Sequence, residues 1–560
     1  MPAPLAPLSL RYGKGLSITS SGATGHLFYG MFVRAAEWLR LHGLVETAQR
    51  FRLAGDMAML KEIVLSIVCG IACMTANADD SLIGQVRQWR MEYEPVVVRQ
   101  LSDFTAIPSI AADASGLGTM ANRLKTELSQ RGFKAQLLQG GQGVPAIVYG
   151  ELNTPGARRT VVFYAHYDGQ PVDRAEWETD PFAPVLRSEA SPKAPALDWS
   201  HLRPPFNPEW RLFGRAVSDD KSSIVAFLQA FDALKAVGRA PSVNVRVFWE
   251  GEEERGSPHL ADLLRQNRSL LAADLWLIGD GPMHQSRRRT LYFGARGSLD
   301  LKATIYGPLR PLHSGHYGNW APNPAYQAAE LVMDLRAPDG SIRIPGFDRD
   351  VRPLTTAERA AIAALPSVEP SLKREFGIAR GESDDGLTAS TMRPALNVVD
   401  LKAGGPARAI PATAEVGLDF RLVPDQTPEH VRELVEKRLQ DLGWTVLHAE
   451  PDEPTRSTRS KLLRLDWSDG YPGYRVDMTN PASRAVLATA ERAGGPVAVL
   501  PMMGGSVPIY LFTKILDVPA IGLAIANHDN NQHAANENAR LQNLWDGIET
   551  YAAMLAELNW

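Results

Sequence analysis

From about residue 82 onward, apolar and polar positions fall into two kinds of segment. "LIGQVRQWRMEYEPVVVRQLSDF" and "GTMANRLKTELSQRGF" repeat their apolar residues three and four apart, the spacing of one helix face. Four other runs are short and apolar almost throughout, and each ends in polar residues. "TVVFYAHYD" runs from Thr160 into His166 and Asp168, and "VNVRVFWEGEEE" from Val243 into an acidic cluster. "DLWLIGD" ends on Asp280, and "PAIGLAIANHDNNQH" in a loop carrying His533. Between them "SIVAFLQAFDALKAVG" predicts a helix opening just after "SDDK" at 218–221. Strands apolar on both faces, interleaved with helices, predict a covered α/β sheet that is mostly parallel. Ligands of such sheets gather beyond the carboxyl ends of the strands, so the polar ends are expected on one rim.

The pattern changes between Arg296 and about residue 480. "GSLDLKATIYG" and "AEVGLDFRLVP" predict strands and "HVRELVEKRLQDLG" a helix, while the Pro/Gly-rich "RAPDGSIRIPGFDRDVRPLT" predicts a loop. A chain of 560 residues holds two or three domains. Its formal net charge of −4 gives no footprint for nucleic acid or an anionic membrane. Both cysteines, Cys69 and Cys73, fall in "MLKEIVLSIVCGIACMTANADD". A lysine, an apolar run from Ile63 to Met74 and then "ANA" form the layout of a secretory signal peptide, with cleavage after Ala78. The run is shorter than the roughly 20 residues of a membrane-spanning helix. On this reading translation starts at Met57 or Met59 and residues 1–58 are a non-native or disordered extension. The mature protein is then periplasmic or secreted and lacks cysteine. If the segment is instead a buried helix of a genuine extension, the protein is cytoplasmic.

The chemistry expected on the rim is metal binding. Two histidines and at least three carboxylates, without thiolate, suit zinc, manganese or cobalt. Five ligands exceed what one catalytic ion takes; with one carboxylate bridging, they suit two ions roughly 3.5–4 Å apart. "WEGEEERGS", from Trp249 to Ser257, puts four acids within five residues. One of them can hold metal while its neighbour takes a proton from water.

Eight elements occur in one order: "AHYDGQP", "GRAVSDDKSS", "EGEEERGS", "GDGP", "HSGHYGN", "RLVP", "GGSVP" and "QHAANEN". In this the chain resembles the dinuclear metallopeptidases that include carnosinase-type dipeptidases, bacterial glutamate carboxypeptidase, aminoacylase and succinyl-diaminopimelate desuccinylase. The resemblance runs from about residue 85 to the end and favours the carnosinase-like branch. It implies a catalytic domain of residues 79–297 and 481–560, interrupted by a smaller α+β lid and dimerisation domain of 298–480. It further implies His166 and Asp280 on one ion, Glu254 and His533 on the other, and Asp219 bridging. Asp168 would orient His166, and Glu253 would be the general base, leaving Glu250 and Glu252 aside. His313 would reach the site of a partner subunit in a homodimer. Arg421 would grip a substrate carboxylate, and Gly505 and Ser506 of "GGSVP" would form a tight turn beside it. Met503 departs from the pattern, standing where arginine or glutamate is common, so the side-chain preference stays open. Asp220 is set aside as a supporting or lysine-paired acid, His316 and His528 as solvent-facing or loop-supporting residues, and Arg287–Arg289 as a solvated turn. The expected activity is hydrolysis of short peptides with two divalent ions, zinc first. The alternatives are deacylation of N-acyl amino acids and a non-catalytic module of the same fold, which would have lost ligands that this chain retains.

Overall fold

The computed structural model describes residues 8–12, 16–20, 81–111, 113–406, 408–507 and 509–560. The signal-peptide segment, its cysteines and the alternative start sites lie outside the described residues. The chain divides into two units, Met1–Gln85 and Val86–Trp560. In the first, Leu8–Tyr12 and Leu16–Ser20 pair as an antiparallel hairpin.

The second unit is built on two sheets. The larger has eight strands in the order Ala498–Leu500, Thr290–Tyr292, Ala520–Ala524, Leu275–Ile278, Thr160–His166, Asn244–Glu250, Ile147–Leu152 and Lys134–Leu138. The four apolar runs are its four adjacent central strands, all parallel. Its outer pairs are antiparallel, apart from Thr290–Tyr292 with Ala498–Leu500. Successive strand residues point to opposite faces, and both faces are covered. Phe163 meets Phe227 and Tyr551, from helices Lys221–Ala236 and Leu541–Glu557. Tyr164 meets Phe248 and Phe512 on the other side, where Trp276 stacks on Phe512 at 4.2 Å.

The second sheet runs Ala395–Lys402, Thr413–Leu422, Gly294–Tyr306, Leu462–Trp467 and Thr445–Leu447. Leu299, Leu301, Ala303 and Ile305 alternate into a core with Leu331, Leu335, Val431, Val435 and Leu439 of helices Pro324–Leu335 and Pro428–Asp441. Residues 336–355 are loop with one isolated bridge, Arg336 to Ile342. The Gly294–Tyr306 strand belongs to this second sheet and follows in the chain directly after Thr290–Tyr292 of the larger one. Its start pairs with Tyr474–Arg475 and with Met503, and the rest with Thr413–Leu422. The boundary drawn at 297/298 therefore falls inside one continuous strand.

Two local expectations need correction. "GGSVP" is not a tight turn at its start: Met503–Ser506 is a short strand, parallel to Ala295 and Arg296 across a register shift. Arg289 is not in a solvated turn, because its mostly buried guanidinium pairs with Asp546 and Glu549 of the C-terminal helix. Among the described residues, no helix is long and apolar enough to cross a membrane.

Candidate metal centre and substrate cleft

The polar residues at the strand ends do converge. His166 is the last residue of its strand, and Asp280 lies two beyond Leu275–Ile278. Glu253 and Glu254 open the single helical turn that follows Asn244–Glu250. Asp219 stands just before the helix Lys221–Ala236. His533, in the left-handed backbone region, lies on the loop after Ala520–Ala524. His166 Nε2 lies 3.0 Å from Asp219 Oδ1, and His533 Nε2 lies 3.2 Å from Asp219 Oδ2 and 3.1 Å from Glu254 Oε2. Each oxygen of Asp219 thus faces a different histidine. Ligand atoms of His166, Asp219 and Glu254 all lie within 4.8 Å of one another, as do those of His166, Glu253 and Asp280. The second group draws Glu253, expected only as base, close to the expected ligands.

The donor set fits divalent cations. Four carboxylates share a poorly solvated pocket: burial and the Glu254 and Asp280 charges hold Glu253 well above the usual carboxylate range. Burial likewise pushes Asp280 up to about 7. Hydrogen bonds to Asp219 and Glu254 raise His533 to about 10. Cations among these groups would relieve the crowding of negative charge.

The surrounding residues fix the ligands. Asp168 is fully buried; its carboxylate lies 3.3 Å from His166 Nδ1 and accepts from the backbone N–H groups of Glu253 and Glu254. One acid therefore ties the His166 strand to the acidic turn. Gln170 Nε2 donates to Glu254 Oε2 at 2.8 Å. Asp220 accepts from the backbone N–H of His166, while Lys221 donates to the Phe104 and Ile107 carbonyls, so the two are not paired with each other. The sequence reading missed Glu537. Its buried carboxylate accepts from Arg215 Nη1 and the N–H groups of Ala216, Ser218 and Asp219, all at 2.9–3.0 Å. That clamps the Asp219 segment to the His533 loop. Its only signal was the Asn-Glu of "HAANEN", because backbone partners leave no mark on a sequence.

A cleft of about 610 Å³ opens over Asp219, Glu253, Glu254, Asp280 and His533 and extends to Arg421 and Gly504–Ser506. Arg421 Nη1 donates to Ser506 Oγ at 2.9 Å, and its Nε is held by Asp419. His313 is not brought to this cleft. It is exposed, its Nδ1 accepts from the Gly315 N–H, and its ring lies 4.6 Å from that of His316.

A covered α/β sheet with acids and histidines crowded at its carboxyl rim, beside a second α+β sheet region, defines the class, and sequence comparison agrees. The chain belongs to peptidase family M20/M25/M40, whose model matches residues 162–557. It is 26% identical over 484 residues to the Cys-Gly metallodipeptidase dug1 of Schizosaccharomyces pombe, covering 82% of this chain and 95% of that one. It is 24% identical to the human Beta-Ala-His dipeptidase, covering 86% and 90%. The solved M20 family metallo-carboxypeptidase Sso-CP2 from Sulfolobus solfataricus superposes with a TM-score of 0.67 at 28% identity, covering 82% of this chain and 98% of that one. The chain is thus an enzyme of a metallopeptidase family.

Proposed function

We propose that this enzyme hydrolyses the amide bond of short peptides, dipeptides foremost, with two divalent ions held by His166, Asp219, Glu254, Asp280 and His533. Zinc is the preferred ion, with manganese and cobalt as alternatives. The observation that carries this reading is Asp219, whose two oxygens face two different histidines as a bridging ligand requires. Such ions polarise a scissile carbonyl and acidify water. Glu253, beside Glu254 at the cleft wall, takes the proton of the attacking water and returns it to the leaving amine. Asp168 holds His166 and the acidic turn in register. Arg421, at the far end of the cleft, receives the substrate carboxylate through its planar fork. The names of the dipeptidase relatives favour peptides over N-acyl amino acids. Residues 79–297 and 481–560 serve as the catalytic domain and 298–480 as the lid, through which the chain forms a homodimer. Chelation should abolish dipeptide hydrolysis, added zinc or manganese should restore it, and metal analysis should approach two ions per chain. Full activity of Asp219→Asn with one ion per chain would refute the dinuclear reading.

A further inference from the structure

We infer that the cleft selects substrates whose C-terminal residue is apolar, and that Met503 is the side chain that makes this selection. The inference rests on the proposed peptide hydrolysis, with the scissile carbonyl at the candidate metal ligands and the terminal carboxylate at Arg421. The side chain of a dipeptide's second residue must then lie between those two ends. Met503 occupies that interval. Its Sδ lies 3.4 Å from where a Cβ on Gly281 would stand, next to Asp280, and its Cε 3.4 Å from where one on Gly505 would stand, next to Ser506. Met283, Leu500, Met502 and Val507 continue the wall around it, and Leu387 faces them from the helix Leu387–Thr391.

The charges lining the cleft point the same way. Among the described residues, every charged side chain there belongs either to the candidate metal centre or to Arg421, which Asp419 already engages. A charged side chain on the second residue would be desolvated there with no free opposite charge to meet it, only neutral polar groups such as Gln285, Thr388 and Gln532, which is costly. An apolar one meets thioether and alkyl groups. Methionine is unbranched and flexible, so the wall adapts to leucine, methionine or phenylalanine rather than fitting one shape.

The test uses the full-length, metal-loaded enzyme and the series Ala-Leu, Ala-Met, Ala-Gly, Ala-Asp and Ala-Lys, with acetyl-leucine alongside. The kcat/KM for Ala-Leu and Ala-Met should exceed that for Ala-Gly by about tenfold or more, the discrimination a hydrophobic pocket supplies. Ala-Asp and Ala-Lys should fall below Ala-Gly. Met503→Gln, similar in length but polar, should cut the Ala-Leu to Ala-Gly ratio at least about fivefold, chiefly through KM. Met503→Leu should keep the ratio, which separates lost apolar contact from a disturbed fold. Equal turnover of Ala-Asp or Ala-Lys with Ala-Leu, or an unchanged ratio in Met503→Gln, overturns this inference while leaving peptide hydrolysis intact. Cleavage of acetyl-leucine with none of any dipeptide overturns the functional reading beneath it, and this inference with it.

Discussion

At the scale of single residues, the acidic run 250–254 accommodates four carboxyl groups because each has a different environment. Glu252 is buried and pairs with His259, accepting from both its ring Nδ1 and its backbone N–H. Glu254 faces Gln170 and His533, and Glu253 faces the cleft. Glu253→Gln should therefore keep its bound metal and lose most turnover, on the order of 10²-fold or more for loss of a general base. Glu254→Gln should lose metal affinity first. Metal content measured beside kcat separates the two, and the reverse outcome would mean that the base and ligand assignments are exchanged. Glu250 is buried without a cation, accepts from Tyr164, and is pushed up to about 8 by that burial. Its folded pKa lies above its unfolded one, so it favours the folded state most at low pH. That contribution is lost as pH rises from about 4.5 to 8. Glu250→Gln mimics the protonated form. Its stability should match the parent near pH 5 and exceed it near pH 8, as read by thermal unfolding at both pH values. An equal or larger loss at pH 8 would contradict a protonated Glu250.

Among elements, the Gly294–Tyr306 strand matters most, because it pairs with four other strands of the second sheet and begins just after Thr290–Tyr292 of the larger one. A Cβ on Gly297 would stand 2.3 Å from the Tyr471 carbonyl oxygen and 2.5 Å from the Gly473 nitrogen. Both are backbone atoms, so neither can rotate away. Gly297→Ala should cost about 1–3 kcal/mol of stability, the usual range for overpacking. It should also lower turnover, since Ser506 Oγ donates to the Gly297 carbonyl and accepts from Arg421. Parent-like unfolding and kinetics would show that this junction yields easily. The same scale explains what could be read from sequence. The four central strands were legible because strands buried on both faces are apolar runs. His166, Glu254, Asp280 and His533 were legible because they lie at or beyond the ends of those runs. Asp219, before the helix Lys221–Ala236, was marked only by the resemblance of "GRAVSDDKSS". Thr290–Tyr292, Ala498–Leu500 and the small sheet of Val185–Arg187, Arg211–Phe213 and Asn538–Arg540 were not, since three residues show no periodicity. Glu537 escaped for another reason: three of its four donors are backbone N–H groups, which any residue supplies.

At the scale of the whole molecule, the second sheet region carries apolar surface that the described residues leave exposed. Trp320 is 80% exposed, Tyr326 74% and Val399 65%. Among the described residues, the strand Ala395–Lys402 ends its sheet, with Thr413–Leu422 as its sole neighbour there. An open edge with Val398, Val399 and Leu401 exposed invites a second chain. His313, in the same region, is exposed and absent from the lining of its own cleft. These observations support a homodimer through residues 298–480 in which each His313 serves the partner's site. His313→Ala and Glu253→Gln should each be inactive alone. In a mixed dimer, one of the two composite sites carries both lesions and the other carries neither. Mixing the purified variants under conditions of subunit exchange should therefore restore activity, up to about one quarter of parent when exchange is random and the two are equimolar, because half of the dimers are mixed and each has one intact site. Differently tagged chains, recovered together, verify the exchange. No recovery despite that exchange would place the role of His313 within its own chain, and a monomeric parent in sedimentation would remove the dimer itself.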